Sequence, residues 1–127
     1  MLIDTDVIIW YLLGNAKARD YLHTHPHFSL SVISYMELVQ GMRNKRELQL
    51  LRRALKNWRA EIIYLNEEIS SKAMFYVEQR YLSHAVTLAD ALIGATSVAY
   101  GRPLLTGNYK HYRILKGIDV TQFDPRE

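Results

Sequence analysis

Apolar residues in this chain gather in short runs, which alternate with longer stretches where they recur every three or four positions. Short runs of this kind predict buried strands, and the periodic stretches predict helices packed on them. Met1 to Ile3 is the first run and is closed by Asp4; Val7 to Leu13 follows as a short helix ended by Gly14. Asn15 to Leu22 reads as a second short helix, and His23 to His27, with Pro26 inside it, as a loop. Phe28 to Ile33 is the next strand. Ser34 is then placed to cap a helix running to about Met42, which puts Glu37 in its first turn. From Arg46 to Trp58 the residues Leu48, Leu51, Leu55 and Trp58 share one side, while Arg52, Arg53, Lys56 and Arg59 crowd the rest, as in an amphipathic basic helix. Glu61 to Leu65 reads as a strand, and Glu67 to Tyr81 as a helix striped by Ile69, Ala73, Tyr76, Val77 and Tyr81. Leu88 to Tyr100 is apolar on most sides and should be central. Gly101 and Pro103 mark its end, Leu104 and Leu105 open a strand closing at Thr106, and Val120 to Phe123 is the last strand.

Strands alternating with helices predict an α/β fold with a mainly parallel sheet of four to five strands, covered by helices on both faces. Ligands of such sheets bind beyond the carboxyl ends of the strands. Asp4, Thr106 and Asn108 follow strands directly, Glu37 follows one by a few residues, and Asp90 opens the central helix. There is no internal repeat, low-complexity tract or linker, so residues 1–127 read as one domain.

Composition narrows the classes without naming one. A chain of 127 residues can bury roughly two-thirds of the surface exposed by its unfolded form, without a disulfide or metal staple. The absence of cysteine removes thiolate metal sites, leaves oxygens and five histidines as possible ligands, and fits a cytoplasmic setting. The apolar stretch at the N-terminus is broken by Asp4 and Asp6 and is far shorter than the ~20 residues of a membrane span, so it reads as core. A net charge of +3 and a pI near 9.2 point weakly to an anionic partner such as nucleic acid.

Asp4, Glu37 and Asp90 are the residues with chemical meaning. Ser34 with Glu37, and Thr87 with Asp90, each match the helix capping box, so either acid on its own reads as a cap. Asp4 is different, because a carboxylate closing a buried run needs a partner or a cleft. If the apolar runs are neighbours in one sheet, all three acids can meet at one edge and hold a divalent cation.

Four segments carry a family resemblance. Leu2-Ile-Asp-Thr-Asp-Val-Ile-Ile, Ser31-Val-Ile-Ser-Tyr-Met-Glu-Leu-Val-Gln-Gly, Leu88-Ala-Asp-Ala-Leu-Ile-Gly-Ala-Thr and Leu104-Leu-Thr-Gly-Asn-Tyr-Lys-His-Tyr, in this order, resemble the four motifs of PIN-domain ribonucleases. VapC-type toxins of bacterial and archaeal toxin–antitoxin pairs are the nearest kind. The resemblance spans almost the whole chain and implies a PIN-like fold. It also implies an Mg²⁺- or Mn²⁺-dependent endoribonuclease, with Asp4, Glu37 and Asp90 as metal site and Thr106 and Asn108 lining it. Relatives often carry a carboxylate in place of Asn108 or His111, so the fourth motif here has less negative charge and a second tightly held metal is in question. Asp6 reads equally as a further carboxylate of the site or as the cap of the Val7 to Leu13 helix. VapC-type toxins are typically homodimers neutralised by a small VapB-type antitoxin lying over hydrophobic grooves. The exposed parts of the Leu48 to Trp58 and Ile69 to Tyr81 stripes are candidate surfaces for such partners.

Arg43, Lys45 and Arg46 follow the Glu37 helix, and Lys110 and Arg113 follow the fourth motif, where they could hold RNA phosphates or simply form a solvated basic face. His23, His25 and His27 read as a surface turn in preference to a metal site. Two other functions stay open at this level. One is a catalytically weak RNA-binding or protein-interaction module on the same fold. The other is a haloacid-dehalogenase-like phosphatase, matched only by Asp4-Thr-Asp6 after a strand.

Overall fold

The computed structural model describes residues 1–127. Its sheet has five strands, β1 (Leu2–Ile3), β2 (Ser29–Ser31), β3 (Glu61–Ile63), β4 (Leu104–Thr106) and β5 (Val120–Gln122), all paired in parallel in the order β3-β2-β1-β4-β5. Seven helices connect them: α1 (Thr5–Leu12), α2 (Ala16–Thr24), α3 (Val32–Gln40), α4 (Lys45–Asn57), α5 (Glu67–Arg80), α6 (Leu88–Tyr100) and α7 (Tyr109–Tyr112). The parallel α/β sheet expected from the alternation is therefore present. The three central strands, β2, β1 and β4, are buried on both faces, their successive side chains pointing to opposite sides, whereas the edge strands β3 and β5 are partly exposed. Ile3 and Leu105 enter one core with Val7, Ile8, Leu22, Leu51 and Leu55 from α1, α2 and α4 and with Trp58, which follows α4. Leu2 and Leu104, one residue earlier on the same strands, enter the other with Ile69, Tyr76, Ile93 and Tyr112 from α5, α6 and α7.

The strand order reverses at β1. From there the chain proceeds outward through β2 and β3, then returns to the other flank of β1 for β4 and β5. Such a switch point opens a crevice beyond the carboxyl ends of the two central strands, and Asp4 follows β1 while Thr106 ends β4.

Two expected caps fall elsewhere. The strand predicted over Phe28 to Ile33 stops at Ser31, whose hydroxyl accepts the Ile33 N–H at 3.1 Å and starts α3 three residues before Ser34. Val32 and Ile33 favour strands by their branching, yet they begin the helix, so Glu37 lies in its second turn and not its first. Asp4, not Asp6, caps α1 by accepting the Thr5 N–H. Thr87 does cap α6, accepting the Asp90 N–H at 3.1 Å. Helix α7, inside the fourth motif, is an element that the hydrophobic pattern alone does not reveal. The segment after it packs tightly on α6 at Gly94, where a Cβ would fall 2.4 Å from Leu115 Cδ1.

Candidate active site

Asp4 is the centre of the site, and local structure explains its place. It ends β1 and caps α1, and only 4% of it is exposed. Its Oδ1 accepts the Thr5 N–H at 2.8 Å, and its Oδ2 accepts the Thr106 hydroxyl at 2.7 Å. That hydroxyl in turn accepts the Asn108 N–H at 2.9 Å, so the strand end and the start of α7 are linked through Asp4. Asn108 contributes by its backbone here; its amide side chain makes no cap bond.

The other two acids reach Asp4 through neutral donors, Tyr112 for Asp90 and Thr5 for Glu37. The phenol of Tyr112 lies 3.3 Å from Asp4 Oδ1 and 3.2 Å from Asp90 Oδ1, which places the two carboxylates within two hydrogen-bond lengths of each other. The Thr5 hydroxyl donates to Glu37 Oε1 at 2.7 Å while the Thr5 N–H donates to Asp4. Glu37 is exposed and Asp90 half-buried, so the set runs from a buried floor to an open rim. Asp6 lies beside it on the first turn of α1. Its Oδ2 accepts the Gly107 N–H at 2.8 Å, a close approach that a Cβ at Gly107, 2.6 Å from that oxygen, would block. Asp6 Oδ1 is buried with no hydrogen-bond partner.

Burial is the main electrostatic fact. It pushes the Asp4 carboxyl from the ordinary 3.8 up to about 7, with the nearby Asp6 charge adding to the rise and the bonds from Thr106 and Thr5 opposing it. Burial also raises Asp6, against the Gly107 N–H that steadies its charge. The Tyr112 phenol is raised as well, first by burial and then by the Asp4 and Asp90 charges, so it is a neutral donor.

As the side chains lie, no three carboxylates or imidazoles stand close enough to ligate one ion. The donor set nevertheless suits a hard divalent cation: it is all oxygen, it includes a buried carboxylate with no cationic partner, and it leaves Asp6 Oδ1 unsatisfied. Asp4, Asp90 and Glu37 could hold such an ion.

The basic residues divide. Arg43 is paired with Glu47 at 2.7 Å, and so is partly engaged, while Lys45, Arg46, Lys110 and Arg113 are exposed. Lys110 and exposed His111 line a depression of about 280 Å³ with Gly107, Asn108, Tyr109 and Gln122, beside the fourth motif. His23, His25 and His27 form no metal cluster; all three are exposed, and the His25 ring stacks on Tyr21 at 4.0 Å.

The sequence pattern of the PIN domain family matches residues 1–116. The chain belongs to the PIN domain family. This PIN domain is 32% identical over 116 residues to ribonuclease VapC10 of Mycobacterium tuberculosis, covering 88% of this chain and 85% of that one. It is 28% identical over 125 residues to ribonuclease VapC1 of Methanocaldococcus jannaschii, covering 98% and 87% of the two chains. Among solved structures it superimposes on a chain of a toxin–antitoxin complex from Klebsiella pneumoniae with a TM-score of 0.78 and 26% identity, over 99% of this chain and 98% of the other. The haloacid-dehalogenase reading loses its support, since the chain belongs to another family over residues 1–116.

Two residues that hydrogen-bond to the acids of the candidate site escape the sequence reading. Tyr112 looks like one of nine tyrosines, and Thr5 like a spacer between two acids. Their contacts depend on which side chains the sheet brings together, and a single sequence carries no signal for that.

Proposed function

We propose that this PIN domain is a metal-dependent endoribonuclease that acts in the cytoplasm as the toxin of a toxin–antitoxin pair. The observation that carries the reading is the linkage of Asp4 at the sheet's switch point to Asp90 through the Tyr112 hydroxyl and to Glu37 through the hydroxyl and backbone N–H of Thr5. Its similarity to two ribonucleases supports RNA as substrate. Asp4, Asp90 and Glu37 would hold Mg²⁺ or Mn²⁺. When bound, such an ion supplies positive charge to a phosphodiester and acidifies a coordinated water. Thr106 fixes the orientation of Asp4 from below. Glu37, which is exposed, would help orient the attacking water and take its proton. Asn108 positions without neutralising. Lys45, Arg46, Lys110 and Arg113 supply cationic surface for the RNA backbone.

The partners of the proposal are a small VapB-type antitoxin and a second copy of the chain. Similarity to a chain from a toxin–antitoxin complex supports the first. Two apolar grooves could receive them. One of about 440 Å³ is lined by Leu12, Leu13, Met42 and Leu50, and one of about 310 Å³ by Met74, Val77, Leu88 and Leu92. A monomer at micromolar concentration in light scattering would remove the dimer from the proposal.

Asp4→Asn and Asp90→Asn test the chemistry. Each should abolish Mn²⁺-dependent cleavage of RNA while circular dichroism shows the fold intact; full activity in either variant removes the mechanism. A binding module without catalysis would in addition show no thermal shift with Mg²⁺ or Mn²⁺, since occupancy of a site stabilises the folded state by mass action.

A further inference from the structure

We infer that Tyr112 is the positioning residue that sets the Asp90 carboxylate against Asp4. The inference rests on the metal-dependent reading above and assigns a role to a side chain outside the acidic set. The phenol oxygen stands between Asp4 Oδ1 and Asp90 Oδ1 at 3.3 and 3.2 Å, and its one proton is shared between them. This is the only hydrogen bond that the Asp90 side chain makes. Asp4, by contrast, is also held by Thr5 and Thr106.

Without the phenol, nothing would oppose the turning of Asp90 away from a neighbouring like charge and out to water. The ring itself has little freedom. It is 1% exposed, it sits in the core with Ile93 and Leu115, and its Cδ1 lies 3.7 Å from where a Gly94 side chain would begin. The glycine in α6 is required by Leu115, whose Cδ1 would fall 2.4 Å from a Cβ there, while the Tyr112 ring packs beside it at ordinary contact distance.

The chemistry of the donor matters as much as its place. A lysine or arginine there would hold both carboxylates by neutralising them and would itself satisfy the charge. A phenol, an uncharged donor, holds them and leaves the negative charge for a cation. Thr5 links Glu37 to the same carboxylate through two separate groups, its hydroxyl donating to Glu37 and its backbone N–H to Asp4, so uncharged donors tether both acids.

Tyr112→Phe keeps the ring and removes only the tether. Mn²⁺ binding to the purified chain, followed by electron paramagnetic resonance without RNA, should weaken about tenfold, as is usual when the partner of a metal-ligating side chain is lost. In RNA cleavage kcat should fall while KM stays. A Kd equal to the wild type or tighter overturns the inference. Wild-type protein that shows no saturable Mn²⁺ binding overturns the metal-dependent reading itself, and this inference with it. A readout that does not require Tyr112→Phe to fold is the tyrosine hydroxyl proton in the NMR spectrum. It should move in Asp90→Asn, and a resonance that stays in place overturns the tether.

Discussion

A buried carboxylate without a cation has a definite effect on stability. Asp4 ionises near 3.8 in the unfolded chain and near 7 in the folded one, because burial penalises its charge. Between those values the folded state binds more protons than the unfolded, so stability falls as pH rises and the full cost is present above about 7. Asp6, also raised by burial, acts in the same direction. In chelator, urea denaturation should therefore give a folding free energy that declines from pH 4 to pH 7, by as much as a few kcal/mol for a shift of this size. Asp4→Asn should flatten that slope and raise stability at pH 8. An unchanged slope in the variant would show that Asp4 is ionised in the folded protein at all these pH values. Mn²⁺ should recover the lost stability at pH 8 in the wild type and fail to do so in the variant, since the cation stands in for the proton.

At the scale of elements, the boundary of α3 decides what its two serines do. Ser31 caps the helix, whereas Ser34 lies inside it with a buried hydroxyl that has no partner. Ser31→Ala should cost about 1 kcal/mol in chemical denaturation, the usual loss for a cap. Ser34→Ala should be neutral or stabilising, because it removes an unsatisfied buried group. The opposite ranking would restore the boundary expected from the capping-box pattern. That pattern misleads here because Ser34 and Glu37 keep the spacing of a cap while the chain turns earlier, where β2 ends at Ser31. The order of strands and helices, by contrast, is legible, because short apolar runs and periodic stretches differ along most of the chain. The placing of Asp4, Thr106 and Asn108 at strand ends is legible for the same reason. Helix α7 is not, since four residues are too few to show a period. Tyr112 is not, since its meaning lies in touching Asp4 and Asp90, residues remote in sequence.

Across the whole molecule, a net charge of +3 is too small to hold RNA without local concentration. The exposed cations outside ion pairs that flank the second and fourth motifs, Lys45, Arg46, Lys110 and Arg113, supply it if they contact phosphates together. Arg43 differs from these four, because Glu47 already holds it through both backbone and side chain. Each phosphate neutralised on a single strand releases counterions and contributes about −0.7 to the slope of log affinity against log salt, so four contacts would give a slope of roughly −3. Fluorescence anisotropy of RNA binding to the non-cleaving Asp90→Asn variant can measure this. Replacing the four cations one at a time should lower the slope stepwise, whereas Arg43→Ala should change it least. A slope near zero in the parent, or one that survives loss of all four, would move the RNA path to another face and leave these charges as solvated surface.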